Sequence, residues 1–600
     1  MTASRQPAFR STAHIALWFV AALLGMRLAT LHNALAETTA DLPKRIRRPA
    51  ALVHFRETNR LYVAQRRGGG VSLVDTETLT TIAEFAIGEG LSDLKRLPET
   101  RYLLVADERR HAVLLAETID ARLTVVDRVS VGPDPVGLTL TADGARCCVA
   151  SLWSRQVSVV DVSATPAAAD SGHLRVSSII QLPFAPLKLL MLGNEKLLAA
   201  EAFGGRVAVV DIDSSTVESV RSLPAHNIRG MALDRENQRV WISHQTLNRL
   251  ARADFDDIHW GTLLTNNLRE LDVNALLDPQ ADLLTGSRLV HVGEATRGAG
   301  DPTDVAIAGK GQLLVSLSGV RELAISKSES FGFDRITVGR RPGAIVVDTD
   351  TQRAFVANAH SDTVSVIDLE SKQAVTEISL GPQPEMTPVD QGERLFFDAT
   401  LSHDGWMSCH SCHSDGHTNN QLADTLSDGN FGAPKRVLSL LGVGRTGPWA
   451  WNGSMSSLEE QLQQSINSTM HGESGSDEQI AALAAYLRSL APPKRAAKAK
   501  SQARGSIERG GKRFTQLQCD RCHTPPTYTS TELFDVDLAD ESGRGRFNPP
   551  SLLGGVHRDA FLHDGSATSL KMAVLAHNRD KTGQLSNQDW SDLIAFLRSL

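Results

Sequence analysis

The chain has 600 residues. A single hydrophobic core does not organise a chain of this length, so the length predicts several domains. A net charge of −7, without an extended basic patch, argues against nucleic acid as a partner. Four of the six cysteines stand in two spaced pairs, which argues against a scaffold held together by disulfides.

The N-terminal segment has the pattern of a signal peptide. Arg5 and Arg10 precede an apolar run at 15–26, and the small residues at 34–36 offer a cleavage site. The apolar run is short for a membrane span, so we expect no stable span, with an uncleaved anchor as the alternative. The sequence therefore predicts a signal peptide over 1–36 and a periplasmic protein.

The segment 37–385 repeats a short strand pattern. A β-branched strand that ends in aspartate occurs four times, at 71–75, 157–161, 207–211 and 364–368, with weaker copies at 114–117 and 322–325. A period of roughly 40 to 50 residues built from short strands and turns is typical of a β-propeller. Counting the strong and weak copies predicts an all-β propeller of about seven blades.

The last of these repeats resembles a known repeat family. Residues 354–358 and 363–368 are similar to the YVTN-type repeat of bacterial seven-bladed propellers. The resemblance implies the fold and says little about function.

Two features inside the propeller could carry chemistry. Cys147 and Cys148 lie in an apolar run, where buried strand cysteines are expected and a vicinal disulfide is the alternative. The long blade at 253–289 contains Asp254, Asp256 and Asp257, which we expect to form a solvated loop, with calcium binding as the alternative. No spacing of His or Cys within the propeller predicts a metal centre.

Two CxxCH segments follow, Cys409 to His413 and Cys519 to His523. In such a segment the thiols, here Cys409, Cys412, Cys519 and Cys522, add to the vinyl groups of a haem, and the histidine ligates the iron. One zinc site made by all four cysteines is the alternative, but zinc motifs do not require a histidine directly after each pair. The sequence predicts two covalently bound haem c groups, and their attachment agrees with export.

The region after the propeller is helical and internally duplicated. Its halves end in the similar segments 485–490 and 595–600, each at the same distance from its CxxCH histidine. The pattern predicts an all-α tandem of two cytochrome c-like haem lobes at 386–490 and 506–600. The basic, Pro-rich stretch 491–505 between them is predicted to be a linker.

This tandem resembles the bacterial di-haem cytochrome c peroxidases. The similar motifs are 392–398, 451–453 and 457–461 in the first lobe and 550–553 and 561–566 in the second. The match covers about 215 residues. The family includes the relative that matures the tryptophan-derived quinone of methylamine dehydrogenase by oxidising a protein substrate.

The resemblance implies roles for individual residues near the first haem. His413 and His523 would be the proximal iron ligands, Trp451 would lie between the haems as an electron relay, and Gln461 would line the distal pocket. Where the family has an acid/base glutamate, this chain has His471. An imidazole there is a catalytic base, a distal iron ligand or neither, and the sequence leaves these three alternatives open.

The second haem departs from the family as well. The family's sixth iron ligand, methionine or tyrosine, aligns with His577, which implies a haem with two histidine ligands. Met572 is a rival ligand, and a solvent-exposed His577 is the remaining alternative. Because thioether ligation raises the haem potential relative to imidazole, this haem is expected to be a poorer electron acceptor.

Other positions near the haems are assigned more weakly. His403, His410 and His417 are expected to be solvated loop residues, with His417 as the next candidate ligand after His471. The family also implies a calcium ion between the lobes, for which Asn548 is a candidate ligand.

These observations lead to three hypotheses. The first is a periplasmic di-haem oxidoreductase that uses hydrogen peroxide and exchanges electrons with a small redox protein, a cytochrome or a cupredoxin. The second is oxidative modification of a protein or peptide substrate that docks on the propeller. The third is a non-catalytic electron-transfer or interaction protein with two six-coordinate haems.

Overall fold

The computed structural model describes residues 42–163, 172–327, 332–426, 429–493 and 504–600. The predicted signal peptide and most of the predicted linker lie outside these ranges. Seven antiparallel sheets, each made of four consecutive strands, form the N-terminal region, so the predicted seven-bladed propeller is confirmed.

The strands of the seven blades follow chain order. The first four blades comprise β1–β4 (Pro49–Phe55, Arg60–Gln65, Gly70–Asp75, Thr80–Ala86), β5–β8 (Leu91–Arg96, Tyr102–Asp107, Ala112–Ile119, Arg122–Ser130), β9–β12 (Pro135–Leu140, Arg146–Ser151, Gln156–Val162, Leu174–Gln181) and β13–β16 (Pro186–Met191, Lys196–Glu201, Arg206–Asp211, Thr216–Ser222). The last three comprise β17–β20 (His226–Asp234, Arg239–Leu247, Leu264–Asp272, Arg288–His291), β21–β24 (Pro302–Ala308, Gln312–Leu317, Glu322–Ser326, Phe333–Thr337) and β25–β28 (Pro342–Asp348, Arg353–Asn358, Thr363–Asp368, Gln373–Ser379).

The repeated sequence segment is the third strand of its blade. In β3, Val71 and Leu73 pack towards the second blade, whereas Val74 packs towards the seventh. This alternation follows from the two faces of a strand. Hydrophobic clusters fill every junction between neighbouring blades, and the one that joins Leu61 to Phe355 closes the ring.

The adjacent cysteines and the acidic cluster of the propeller both lie in or next to regular secondary structure. Cys147 and Cys148 lie buried in β10 with free thiols, as expected for strand cysteines. The long fifth blade carries two short helices, α1 (Phe255–His259) and α2 (Val273–Leu277). Asp254 accepts a hydrogen bond from the Asp257 backbone N–H and thereby caps α1, so the acidic residues begin a helix instead of forming an open loop.

The C-terminal region is helical, as predicted. Its helices are α3 (Pro388–Phe396), α4 (Cys409–Cys412), α5 (Leu458–Gln464), α6 (Asp477–Ser489), α7 (Arg504–Gln516), α8 (Leu570–His577), α9 (Arg579–Thr582) and α10 (Asn587–Leu597), with a π-helix at Ser465–Thr469. Two small hairpins add β29 (Leu422–Ala423) with β30 (Lys435–Arg436) and β31 (Phe534–Asp535) with β32 (Arg546–Phe547). Among the described residues no helix is long and apolar enough to cross a membrane.

The two lobes repeat one helix crossing. Gly392 of α3 lies so close to α6 that a Cβ there would come within 1.9 Å of the Ala482 carbonyl oxygen. Gly510 of α7 has the same relation to Asp592 of α10, at 2.0 Å. A glycine at each crossing is therefore required by the close backbone approach, and the duplication seen in the sequence is a duplication of packing.

Both lobes rest on one face of the propeller. The pairs that join them are Arg67 with Asp390, Trp153 with His557, Arg206 with Asp559, His226 with Ser411, Asp301 with Ser408 and His360 with Arg394, which involve every blade except the second. The Trp406 ring also covers Gly261 and Gly293 of the fifth blade. Residues of that blade and of the first lobe form one continuous hydrophobic core, so the propeller positions the haem-binding segments.

Candidate di-haem site

The first CxxCH helix, α4, is held by polar residues of the propeller. Asp301 is buried and accepts hydrogen bonds from the hydroxyls of Ser408 (2.5 Å) and Ser411 (2.6 Å). Ser408 also caps α4, because its hydroxyl accepts from the His410 backbone N–H. The His226 Nε2 atom lies 3.0 Å from the Ser411 carbonyl oxygen. The cysteines of α4 therefore project from a helix whose start is fixed by the propeller.

The expectation that the neighbouring histidines are solvated is wrong for two of them. His410 is buried against the Phe397 ring, and its Nδ1 atom accepts from the Asp415 N–H at 2.9 Å. His417 is only 1% exposed, and its two nitrogens lie within hydrogen-bonding distance of Ser439 Oγ and the His557 carbonyl. Both side chains are buried by the propeller interface, which the sequence did not show.

A cavity of about 270 Å³ opens beside α4. Cys409, Cys412 and His413 line it together with apolar side chains, among them Trp449 and Leu462. The His413 Nδ1 atom lies 2.8 Å from the Leu438 carbonyl, and burial lowers the pKa of this imidazole to about 4. The ring is therefore neutral, and its Nε2 atom is left for a metal. Two thiols and one such imidazole in an apolar cavity fit a covalently bound haem.

Two arginines at this cavity support the same assignment. Arg436 is buried and donates to the Leu562 carbonyl, and Arg558 donates to the Leu553 carbonyl. In the described part of the chain neither makes an ion pair with a carboxylate. Because a buried cation without a counter-ion is costly, the cavity suits a group that brings its own carboxylates, as the propionates of haem do.

The second lobe holds two facing imidazoles. The ring centroids of His523 and His577 are 6.5 Å apart. Imidazoles that bind one metal from opposite sides, with bonds of about 2 Å, place their centroids about 6 Å apart. The His523 Nδ1 atom lies 3.2 Å from the Tyr528 carbonyl, and the His577 Nδ1 atom lies 2.6 Å from the Ala573 carbonyl. Both Nε2 atoms are therefore left for the metal, which fits the predicted pair of axial ligands.

The alternatives considered for this ligand do not match the structure. Met572 is 46% exposed, and its sulfur accepts a hydrogen bond from the Thr568 hydroxyl. His577 is half-buried, and burial lowers its pKa. The histidine, and not the methionine, thus faces His523. Cys519 and Cys522 form no disulfide, so both thiols are available for the predicted haem attachment.

Gln461 and Trp451 both line the first cavity. The Gln461 side chain donates to the Ser465 hydroxyl at 3.1 Å, and this hydroxyl also faces the cavity. The Trp451 indole N–H donates to the Arg436 carbonyl at 2.9 Å, while the Trp451 carbonyl accepts from the backbone N–H of Asn548 in the second lobe. Trp451 therefore lies where the two lobes meet, as an electron relay would.

His471 contacts the propeller. It does not line the cavity; its Nε2 atom lies 3.1 Å from the Ala253 carbonyl of the propeller. Its backbone is left-handed, with φ 48°, directly after the π-helix. The preceding residue, Met470, lines the cavity instead. This arrangement favours the third alternative, in which His471 is neither a base nor a ligand, and the role of His471 stays a prediction.

Two further metal assignments can be compared with the geometry. Among the described residues no group of three or more metal-binding side chains contains a cysteine, which disfavours the zinc alternative. Asn548 is buried at the junction of the lobes, and its amide donates to the Ser530 carbonyl at 2.9 Å. Calcium binding there stays a prediction.

The chain is similar to several known proteins. Residues 387–503 match the sequence model of the family described as di-haem cytochrome c peroxidase. The methylamine utilization protein MauG of Methylorubrum extorquens is 29% identical over 291 aligned residues, covering 36% of this chain and 81% of that protein. The protein of the same name from Methylophilus methylotrophus is 28% identical over 276 aligned residues, which cover 35% of this chain and 81% of that protein. Among solved structures, hydrazine synthase of Kuenenia stuttgartiensis is 18% identical, covers 55% of this chain and 97% of that chain, and gives a TM-score of 0.45.

Proposed function

We propose that this chain, whose helical region carries a di-haem cytochrome c peroxidase family domain, is a periplasmic di-haem oxidoreductase. The observation that carries the proposal is the difference between its two histidine sites. His523 faces a second imidazole, whereas His413 faces a cavity. One site is thus built to exchange electrons and the other to bind a small reactant.

The residues around the first cavity would have different roles in binding the iron, contacting the reactant and transferring electrons. When bound, the haems supply electron storage and transfer, and the first iron supplies the site of reaction. His413 would hold the iron from one side, with its orientation set by the Leu438 carbonyl. Gln461 and Ser465 offer an amide and a hydroxyl to a small polar reactant. Trp451 offers an aromatic group between the lobes.

We propose hydrogen peroxide as the oxidant, on the support of Gln461 and of the family. Within the described residues that line the cavity, no Asp or Glu is present, and His471 points away. A side chain that moves a proton near neutral pH is therefore missing, and such a group contributes typically 10²- to 10⁴-fold to a rate. We expect peroxide turnover to be slow compared with an enzyme that has this group.

A second candidate is electron transfer without catalysis, and Met470 favours it. Its thioether lines the cavity, and a thioether can close a haem as a sixth ligand. Oxidation of a protein substrate, which the family resemblance implies, belongs to the first candidate, because it also needs a reactive first haem.

Ferric electron paramagnetic resonance of the haem-loaded protein tests the proposal. We expect one high-spin and one low-spin signal, carbon monoxide binding at one reduced haem, and slow peroxide reduction by a reduced cytochrome. His577→Ala should turn the low-spin haem high-spin, and the control His471→Ala should change neither signal.

Two low-spin signals, one of which turns high-spin in Met470→Leu, would establish the second candidate. A protein that binds no carbon monoxide and reduces no peroxide would overturn the first. Secretion is tested separately, by whether the haem-loaded protein is recovered from the periplasmic fraction.

A further inference from the structure

Three metal-binding side chains meet where the propeller contacts the first haem lobe. His259 ends helix α1 of the long fifth blade, and His403 and Asp404 belong to the loop that precedes the first CxxCH segment. This group lies outside the haem cavity and none of its members lines that cavity. The three ligand atoms come from two domains, so no spacing in the sequence could show them as a set.

Their separations are those of ligands around one ion. His259 Nδ1 lies 3.1 Å from His403 Nε2 and 3.2 Å from Asp404 Oδ2, and the remaining distance, between His403 Nε2 and Asp404 Oδ2, is 3.1 Å. Bonds of about 2.1 Å at angles of about 90° to 110° place neighbouring ligand atoms about 3.0 to 3.4 Å apart. The triangle therefore matches one face of a metal coordination sphere.

Among the described residues, the two imidazoles are the ionisable partners within 4 Å of the Asp404 Oδ2 atom. Asp404 Oδ2 is buried and makes no hydrogen bond, although two imidazole nitrogens lie close to it. A buried carboxylate oxygen without a partner is costly, and a bound cation removes that cost. A hydrogen bond between His259 and His403 alone would leave the carboxylate oxygen unsatisfied.

The backbone holds the three side chains in place. Asp404 has a left-handed conformation, with φ 54°, and its carbonyl accepts from the Gly298 N–H of the propeller at 2.7 Å. The His403 N–H donates to the Met470 carbonyl at 2.9 Å. The Phe255 ring lies parallel to the His259 ring at 5.6 Å and packs on His403 at 4.8 Å. The group is thus a prearranged site partly covered by an aromatic ring.

We propose that His259, His403 and Asp404 bind a divalent first-row transition metal ion, for which zinc is the probe. Two imidazoles and one carboxylate suit such an ion better than calcium, which prefers oxygen ligands. Three protein ligands leave a coordination position for water. The ion fastens the fifth blade to the first lobe and, through the His403 N–H, steadies the Met470 segment at the haem cavity.

The test uses the untagged, full-length, haem-loaded protein after chelator treatment. Elemental analysis after zinc exposure and dialysis should find one zinc per chain beside two irons, and calorimetric titration should give one site. Zinc-edge X-ray absorption should show nitrogen and oxygen neighbours only, with imidazole scattering. A tenfold excess of calcium should not displace the zinc.

His403→Ala and Asp404→Asn should each weaken zinc binding by at least about tenfold. Asparagine tolerates the left-handed backbone at 404, so the second variant removes a charge without a backbone penalty. His111→Ala, which removes an exposed histidine of the propeller, is the matched control and should bind like the wild type. Unchanged haem spectra establish that each variant is folded. Zinc binding that is absent in the wild type, or equally tight in the folded variants, would overturn the proposal.

Discussion

Asp301 is the propeller residue whose removal should most directly disturb the first haem segment. Its carboxylate is the acceptor for the Ser408 and Ser411 hydroxyls, all three being buried. Asp301→Ala leaves both hydroxyls without this acceptor. An unsatisfied buried polar group costs about 1–3 kcal/mol, so the two together predict a loss of about 2–6 kcal/mol in the local free energy of opening.

Asp301→Asn should be milder. Burial raises the pKa of Asp301 while the two hydroxyl donors lower it, so its charge is costly to keep in this place. The amide keeps one oxygen acceptor and removes the charge, and we expect a loss below about 2 kcal/mol. Asn also tolerates the left-handed backbone at position 301, where φ is 57°, so the contrast between alanine and asparagine reports the lost hydrogen bonds together with about 1 kcal/mol of backbone strain.

Hydrogen exchange measured by mass spectrometry over 408–417 is the assay. At about 1.4 kcal/mol for each factor of ten, Asp301→Ala should accelerate exchange there by about 30-fold or more. Asp213→Ala is the control, because it removes an exposed carboxylate that pairs with Arg146 and should cost less than about 1 kcal/mol. Exchange in the variant within threefold of the wild type would refute the reasoning.

Three further predictions concern the haem sites and acid stability. Trp451→Phe keeps most of the packing and loses the indole hydrogen bond, so it should cost only about 1 kcal/mol but slow electron transfer between the haems in flash photolysis; an unchanged rate would remove the relay role. Arg558→Gln removes a cation that lines the first cavity, so redox titration should find a lower potential for that haem and a smaller drop for the second, because the Arg558 charge also acts on His523; a drop at the first haem no larger than that at the second would contradict the assignment. Burial lowers the pKa of His226 to about 4, below its unfolded value of about 6.5, so the unfolded chain binds the proton more readily and stability is lost as the pH falls through this window. Denaturation between pH 7 and 4 should show a smaller acid loss in His226→Gln, and an equal loss would contradict this.

The sequence predicted those parts of the molecule that depend on local patterns. The strand that ends in aspartate identified the third strand of several blades, and each CxxCH segment identified a haem position, because both signals lie within a few neighbouring residues. The pairing of His523 with His577 depended on a family alignment within one helical lobe, where the spacing is regular. The structure places the centroids of the two rings 6.5 Å apart, with an angle of 67° between their planes.

The sequence was least informative where two domains meet. It left three roles open for His471, a catalytic base, a distal iron ligand or neither. The π-helix at Ser465–Thr469 and the left-handed turn that follows change the direction of the side chain, and the Ala253 carbonyl of the propeller holds it there. Asp301 and the His259 group gave no sequence signal for the same reason, because their partners lie more than a hundred residues away.

The covered face of the propeller also limits how a partner reaches the haems. Six of the seven blades contact the haem lobes through the face on which α4 rests, and the fifth blade shares a hydrophobic core with the first lobe. A protein substrate could dock on this face only if the lobes left it, which would expose that core to water at about 25 cal/mol for each Å² of apolar surface. This face of the propeller therefore helps to position the haem-binding segments. If the proposed function holds, we expect a redox protein to reach the haems through the lobe surfaces that the propeller leaves uncovered, with Trp451 at the junction of the lobes as the relay.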